Sequence, residues 1–243
     1  LIDRDELGVD EFYTRMATSD GVPQTAAPAP GRFQSAFRDC FDEGADTVIC
    51  INISSGVSAT MQAATAGAQD LGDADVQIID SRSVTGGLGT MVIAAARAAG
   101  NGASAKEVVN IVEGLKSRTR VYAAVDTLEN LKKGGRIGNA QALLGSVLSI
   151  KPLIDFSSGV VEEAGRQRTR RKSLLWLRDK LAESGDRVEN LSVMHARAPD
   201  IDDFIEMLGG LVEPSTIRVG PIGPVVASHA GPGVVGMCFT LGD

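Results

Sequence analysis

The sequence predicts an α/β protein of two domains, and three observations carry that prediction. Between residue 30 and about residue 118, helical periods alternate with short β-branched runs, the pattern of a parallel sheet covered by helices. Beyond residue 119 short strands are punctuated by Ser-Gly and Gly-Pro turns with helices among them, the pattern of an α+β domain with a mixed or antiparallel sheet. The 243 residues make one large domain or two small ones at roughly 100–200 residues each. The expectation is an N-terminal, Rossmann-like parallel sheet with helices over residues 1–118 and a C-terminal α+β domain over residues 119–243.

Each element follows from local pattern. Pro30 suits a first helical turn, and Phe33, Phe37, Cys40 and Phe41 continue at helical spacing to a stop at Gly44. Residues 47–53 (TVICINI) read as a buried strand, 58–71 as a helix stopped by Gly72, and 76–79 as the next strand. Leu88, Met91, Val92, Ala95 and Ala99 mark a further helix ending at Gly100. Ser104 and Glu107 form a capping box that opens another, with Val108, Ile111, Val112 and Leu115 inward. In the second half, strands are expected at 121–125, 190–196, 217–219, 225–227 and 235–241, with a hairpin at 154–161. Helices are expected at 139–148, 169–183 and 200–211.

Composition excludes several classes of function. No stretch approaches the roughly 20 unbroken apolar residues of a membrane-spanning helix, so stable membrane insertion is not expected. A net charge of −7 repels phosphate backbones, and 4% aromatic residues are too few for base-stacking platforms, so nucleic acid is not an expected partner. Cys40, Cys50 and Cys238 are odd in number and lack CxxC pairing, which argues against a disulfide framework and a zinc site and suits a reducing, cytoplasmic compartment.

Residues 51–60 (I-N-I-S-S-G-V-S-A-T) run from a strand into a helix and place four hydroxyls at a helix N-terminus, a natural anion site. Ordinary capping by Ser58 is a second reading. A third is a nucleophile elbow: Gly56-Val57-Ser58 nearly matches G-x-S-x-G, with His229 as base and Asp200 or Asp202 as acid, although Thr60 replaces the last glycine. Gly86, Gly87 and Gly89 resemble a dinucleotide fingerprint without its third glycine, Val92 standing there, and no Walker sequence occurs. Residues 166–172 (R-Q-R-T-R-R-K) put five cations in seven residues. They read either as a solvated helix start or as a dock for an acidic surface. Lys132-Lys133-Gly134-Gly135-Arg136 is a second basic cluster, and His229 lies in the constrained turn S-H-A-G-P-G.

Taken in order, residues 23–33 (P-Q-T-A-A-P-A-P-G-R-F), 53–60 (I-S-S-G-V-S-A-T), 78–81 (I-I-D-S), 127–137 (T-L-E-N-L-K-K-G-G-R-I), 149–154 (S-I-K-P-L-I), 168–172 (R-T-R-R-K) and 228–233 (S-H-A-G-P-G) resemble the successive signatures of the DegV family of bacterial fatty-acid-binding proteins. The likeness runs from about residue 8 to the C-terminus. It implies one long-chain fatty acid held between two domains, its carboxylate bound by Thr25 and Ser58 with Ser55 close by, and with Arg136 and His229 near the headgroup. It also implies a cytoplasmic, monomeric substrate carrier without catalytic residues, metal or cofactor of its own, which presents the carboxylate to an ATP-dependent fatty acid kinase. Arg166, Arg168 and Arg170 would then be the docking patch. Two departures bear on the headgroup: Ala26 and Ala27 follow Thr25 in place of Ser and Gln, and Ala59 replaces a glycine. The chain opens at Leu1, and the family pattern begins about 35–40 residues earlier with a strand and an Asp-Ser loop, so a truncated chain or a module of a larger protein is expected.

Overall fold

The computed structural model describes residues 2, 5–19, 21–143 and 150–242. They fall into two compact units, one of Ala26–Arg118 and one of Leu1–Thr25 with Thr119–Asp243. The first helix, α1 (Val9–Thr18), belongs to the latter.

The Ala26–Arg118 unit contains α2 (Pro30–Asp42), β1 (Val48–Asn52), α3 (Thr60–Gln69), β2 (Val76–Asp80), α4 (Thr85–Gly100) and α5 (Ala105–Arg118). β1 and β2 pair in parallel from Val48 opposite Val76 to Asn52 opposite Asp80, and α3 makes the crossover. Pro30 occupies the first turn of α2, and Gly44 closes it at φ 98°. The capping box at α5 forms as expected. The Ser104 N–H and hydroxyl donate to the Glu107 carboxylate at 2.8 and 2.7 Å, and these bonds hold that carboxyl below its ordinary value. Ile79, Met91, Ala95, Val108, Val112 and Leu115 form the core. α2 and α3 approach closely at Gly67, where a methyl group would lie 2.5 Å from the Pro30 carbonyl oxygen.

The other unit is built on β3 (Thr119–Ala124), β4 (Lys151–Asp155), β5 (Glu162–Gln167), β6 (Val188–His195), β7 (Arg218–Pro221) and β8 (Val235–Leu241). Their order is β5-β4-β3-β8-β6-β7; β6 and β7 are parallel and the other pairs antiparallel. β8 is almost wholly buried because both its edges are paired. α7 (Arg170–Ser184) brings Leu174, Leu177 and Leu181 at helical spacing into the core with Phe204 of α8 (Ile201–Leu208), Met237 and Phe239. Two short helices, α6 (Glu129–Lys133) and α9 (Pro224–Ala230), pack on one another.

Several expectations are corrected. Residues 225–227 are helical, in α9, because Pro224 is a first-turn proline behind the Gly223 N-cap and Gly231, at φ 86°, ends the helix. The first 25 residues do not belong with residues 26–118. Phe12 and Tyr13 of α1 are buried in the other unit, where the Tyr13 hydroxyl donates to the Ile222 carbonyl at 2.9 Å. α1 and α6 are additional to the elements that the sequence predicts. The helix expected at 139–148 is a 3-10 turn over Gly138–Leu143, and its remainder lies outside the described residues, as does Ser149.

Candidate functional site

Thr25 and His229, far apart in sequence, meet at 2.7 Å between Oγ1 and Nε2. The tertiary packing of α6 on α9 builds this place. Asn130 of α6 donates its side-chain N–H to the Ser228 carbonyl at 3.2 Å, and Arg136, in the turn after α6, donates to the Gly134 carbonyl at 2.9 Å. Burial, with the Arg136 charge adding to it, holds the His229 imidazole below its ordinary pKa, so it is neutral at pH 7. Its Nδ1 is buried and has no hydrogen-bond partner among the described residues. A hydroxyl, a neutral imidazole and a guanidinium thus cluster without a carboxylate bonded to the ring, which suits an anionic ligand. Beside them, Tyr13, Met16, Ala17, Val22, Asn130 and Pro232 line a cleft of about 290 Å³.

A second polar loop follows β1. Ser58 Oγ lies 2.8 Å from Thr60 Oγ1 and accepts from the Thr60 N–H at the start of α3. α3 therefore begins two residues later than expected, with Ala59 at its cap and Ser58 presented just ahead of it. Ser55 is held otherwise: its hydroxyl and N–H both donate to the Asp80 carboxylate, at 2.5 and 3.2 Å. With its proton committed to a carboxylate, Ser55 shapes the loop and has no donor to offer a second anion. Ser54, Ser81 and Ser83 are buried beneath, joined by bonds among their main chains and hydroxyls.

The cationic run divides. Arg166 and Arg168 are exposed. Arg170 instead forms a fork with Asp200, Nε to Oδ2 at 2.8 Å and a second nitrogen to Oδ1 at 3.0 Å, and this pairing holds the Asp200 carboxyl below its ordinary value. Arg170 is thereby tied into a structural pair at the start of α7. The same fork removes Asp200 as a triad acid, while Asp202 acts on His195, raising its pKa against the effect of burial. Among the described residues no group of three or more His, Cys, Asp or Glu could hold a metal ion, and no helix is long and apolar enough to cross a membrane.

A family model described as "Uncharacterised protein, DegV family" matches residues 1–241. The chain belongs to the DegV family. A DegV domain-containing protein of Mycobacterium tuberculosis is 35% identical over 239 residues, 96% of this chain and 82% of the relative. Another, from Streptomyces coelicolor, is 33% identical over 219 residues, 88% of this chain and 76% of the relative. Among solved structures, a fatty-acid-binding DegV family protein from Thermus thermophilus superposes with a TM-score of 0.89 at 32% identity, covering 98% of this chain and 86% of its own. DegV of Bacillus subtilis, described as a fatty-acid-binding protein, gives 0.83 at 28% identity, covering 98% and 86%. A stearic-acid-binding protein from Eubacterium ventriosum gives 0.85 at 26%, covering 98% and 85%. The small parallel sheet and the larger mixed sheet of this DegV chain match that fold.

Of the five headgroup residues expected in this DegV chain, Thr25, Arg136 and His229 come together in one unit, and Ser55 and Ser58 share the loop after β1 in the other. Asn130 and Thr60 are hydrogen-bonded beside these residues. Asn130 carries no local signal, since only the packing of α6 on α9 brings it to Ser228. Thr60 was visible as a hydroxyl two residues beyond Ser58.

Proposed function

We propose that this DegV protein is a carrier that binds one long-chain fatty acid and presents its carboxylate to an ATP-dependent fatty acid kinase. The Thr25–His229 hydrogen bond beside Arg136 carries this reading, because it holds a hydroxyl ready for an anion while leaving that anion open to attack on phosphate. Thr25, with His229 and Arg136 beside it, and Ser58, with Thr60, are the proposed headgroup ligands. The tail supplies the affinity: burying about 14 methylenes at about 0.8 kcal/mol each contributes about 11 kcal/mol before ordering costs, so the hydroxyls need only orient the head. The fatty acids named for the relatives in Thermus, Bacillus and Eubacterium support the same ligand class.

The competing reading, a serine hydrolase using Ser58 and His229, requires an acid on Nδ1 of His229. That atom has no partner among the described residues, and Asp200 is committed to Arg170.

Mass spectrometry of an organic extract of the purified protein tests the proposal and should show stoichiometric saturated or monounsaturated fatty acid. A clean extract with no uptake of added palmitate or oleate overturns it. Labelling of Ser58 by a fluorophosphonate, lost in His229→Ala, would establish the hydrolase instead. The kinase dock is proposed at Arg166 and Arg168. Reversing both charges should leave lipid content intact and abolish phosphorylation of the bound acid in a salt-sensitive way, whereas undiminished coupling would remove the dock from this surface.

A further inference from the structure

The paired glycines after α6 serve two different ends. Gly135 has φ 68° with open space around it, so its lack of a side chain answers a backbone need. Gly134 has φ −78° and ψ −5°, a conformation any L residue adopts, so the backbone there asks for no glycine. What excludes a side chain is His229. A Cβ on Gly134 would lie 2.3 Å from Nδ1 and 3.0 Å from Cε1 of the ring, and 3.0 Å from the Asn130 carbonyl oxygen. The ring is restrained from moving away, since its far nitrogen is bonded to Thr25 and its helix is tied to Asn130 through Ser228.

We propose that Gly134 is a positioning residue for the headgroup site: its bare Cα sets the depth and the tautomer of His229, and through them the direction of the Thr25 hydroxyl. The Cα hydrogen that stands where a Cβ would be points at Nδ1. A proton on Nδ1 would meet it head-on, whereas a lone pair accepts it as a weak C–H contact. The proton therefore resides on Nε2 and is donated to Thr25 Oγ1. Thr25, already accepting, turns its own hydrogen outward as a donor, so the site selects an acceptor headgroup, an ionised carboxylate, over a donor such as a fatty amine.

The inference rests on the carrier reading only for its ligand, and nitrogen NMR of the full chain tests the two separately. The sequence has two histidines, so His195→Gln assigns the signals. The lipid-free protein should show Nδ1 of His229 unprotonated and Nε2 protonated; the opposite tautomer overturns the proposal whatever the ligand. If the tautomer is as stated and palmitate does not bind, the carrier reading fails and the ring geometry stands. Gly134→Ala should displace the ring signals and weaken palmitate binding about tenfold or more, the loss of one hydrogen bond to a charged group. Unchanged signals with unchanged affinity overturn the proposal. Should Gly134→Ala fold poorly, Gly134→Ala/His229→Ala relieves the clash. It should recover the melting temperature of His229→Ala alone while binding palmitate no better than that variant. A double variant no more stable than Gly134→Ala would show that the ring is not what excludes the side chain.

Discussion

Ser58 and Ser55 sit three residues apart in one loop, yet only Ser55 is bonded to a carboxylate. Asp80 takes both donors of Ser55, whereas among the described residues the Ser58 hydroxyl is shared with its helical neighbour Thr60. Ser58→Ala should therefore weaken palmitate binding by about 1–3 kcal/mol, as for a hydrogen bond to a charged group. Isothermal titration measures that loss. Acyl-phosphate formation by a cognate kinase should fall further, because displacement of the nucleophilic oxygen by an ångström affects rate more than affinity; equal losses in both would place Ser58 outside the headgroup. The two histidines make a different prediction. Burial lowers both, opposed by Asp202 at His195 and reinforced by Arg136 at His229. As pH falls through the ordinary histidine value of 6.5, the unfolded chain binds more protons than the folded one, so ΔG of unfolding falls with it. The stability is present above pH 6.5, is lost progressively below it, and levels off once the folded values are passed. Urea melts between pH 7.5 and 5 should show this slope, flattened in His195→Gln/His229→Gln.

At the scale of elements, glycines again separate two physical demands. Gly67 lies where α2 and α3 cross, and a methyl there meets the Pro30 carbonyl oxygen at 2.5 Å and Phe33 Cβ at 2.9 Å. Gly114 lies exposed within α5 with nothing within 4 Å of an added Cβ. Gly114→Ala should stabilise by up to about 1 kcal/mol through helix propensity. Gly67→Ala should destabilise by about 1–3 kcal/mol, overpacking outweighing the same propensity gain. Denaturant midpoints of the two variants should move in opposite directions; a shift of both to higher denaturant would mean that the helices separate freely.

For the whole molecule, α1 ties the first residues of the chain to Arg197 and to Ile222 after β7. Phe12 and Tyr13 are buried, the Tyr13 phenol is pushed up to about 12 by burial against the opposing charge of Arg197, and that guanidinium stands 5.5 Å from the ring centroid while pairing with Asp10. Removing this aromatic plug by Tyr13→Ala should cost about 3–5 kcal/mol. Hydrogen exchange should quicken in β7 and α9, which flank Ile222 as it loses its partner, while α2 to α5 keep their protection; loss of protection spread evenly over the chain would refute an anchor local to one unit.

What the sequence determined by itself was whatever neighbouring residues decide among themselves. The capping box of Ser104 and Glu107, the first-turn Pro30 and the leucine spacing of α7 form as expected, since each is closed within a few residues, and the β1–α3–β2 alternation follows from its succession of locally patterned elements. Residues 225–227 misled because two valines favour a strand locally, while the Gly223-Pro224 start and the burial of Ala227 and Ser228 decide for a helix. Only the tertiary structure decided that Leu1–Thr25 joins Thr119–Asp243, that Arg170 pairs with Asp200, and that Thr25, Gly134 and His229 form one cluster. These contacts join residues 30 to about 200 positions apart, and such pairings depend on which apolar faces bury together, a choice that no local window of residues contains.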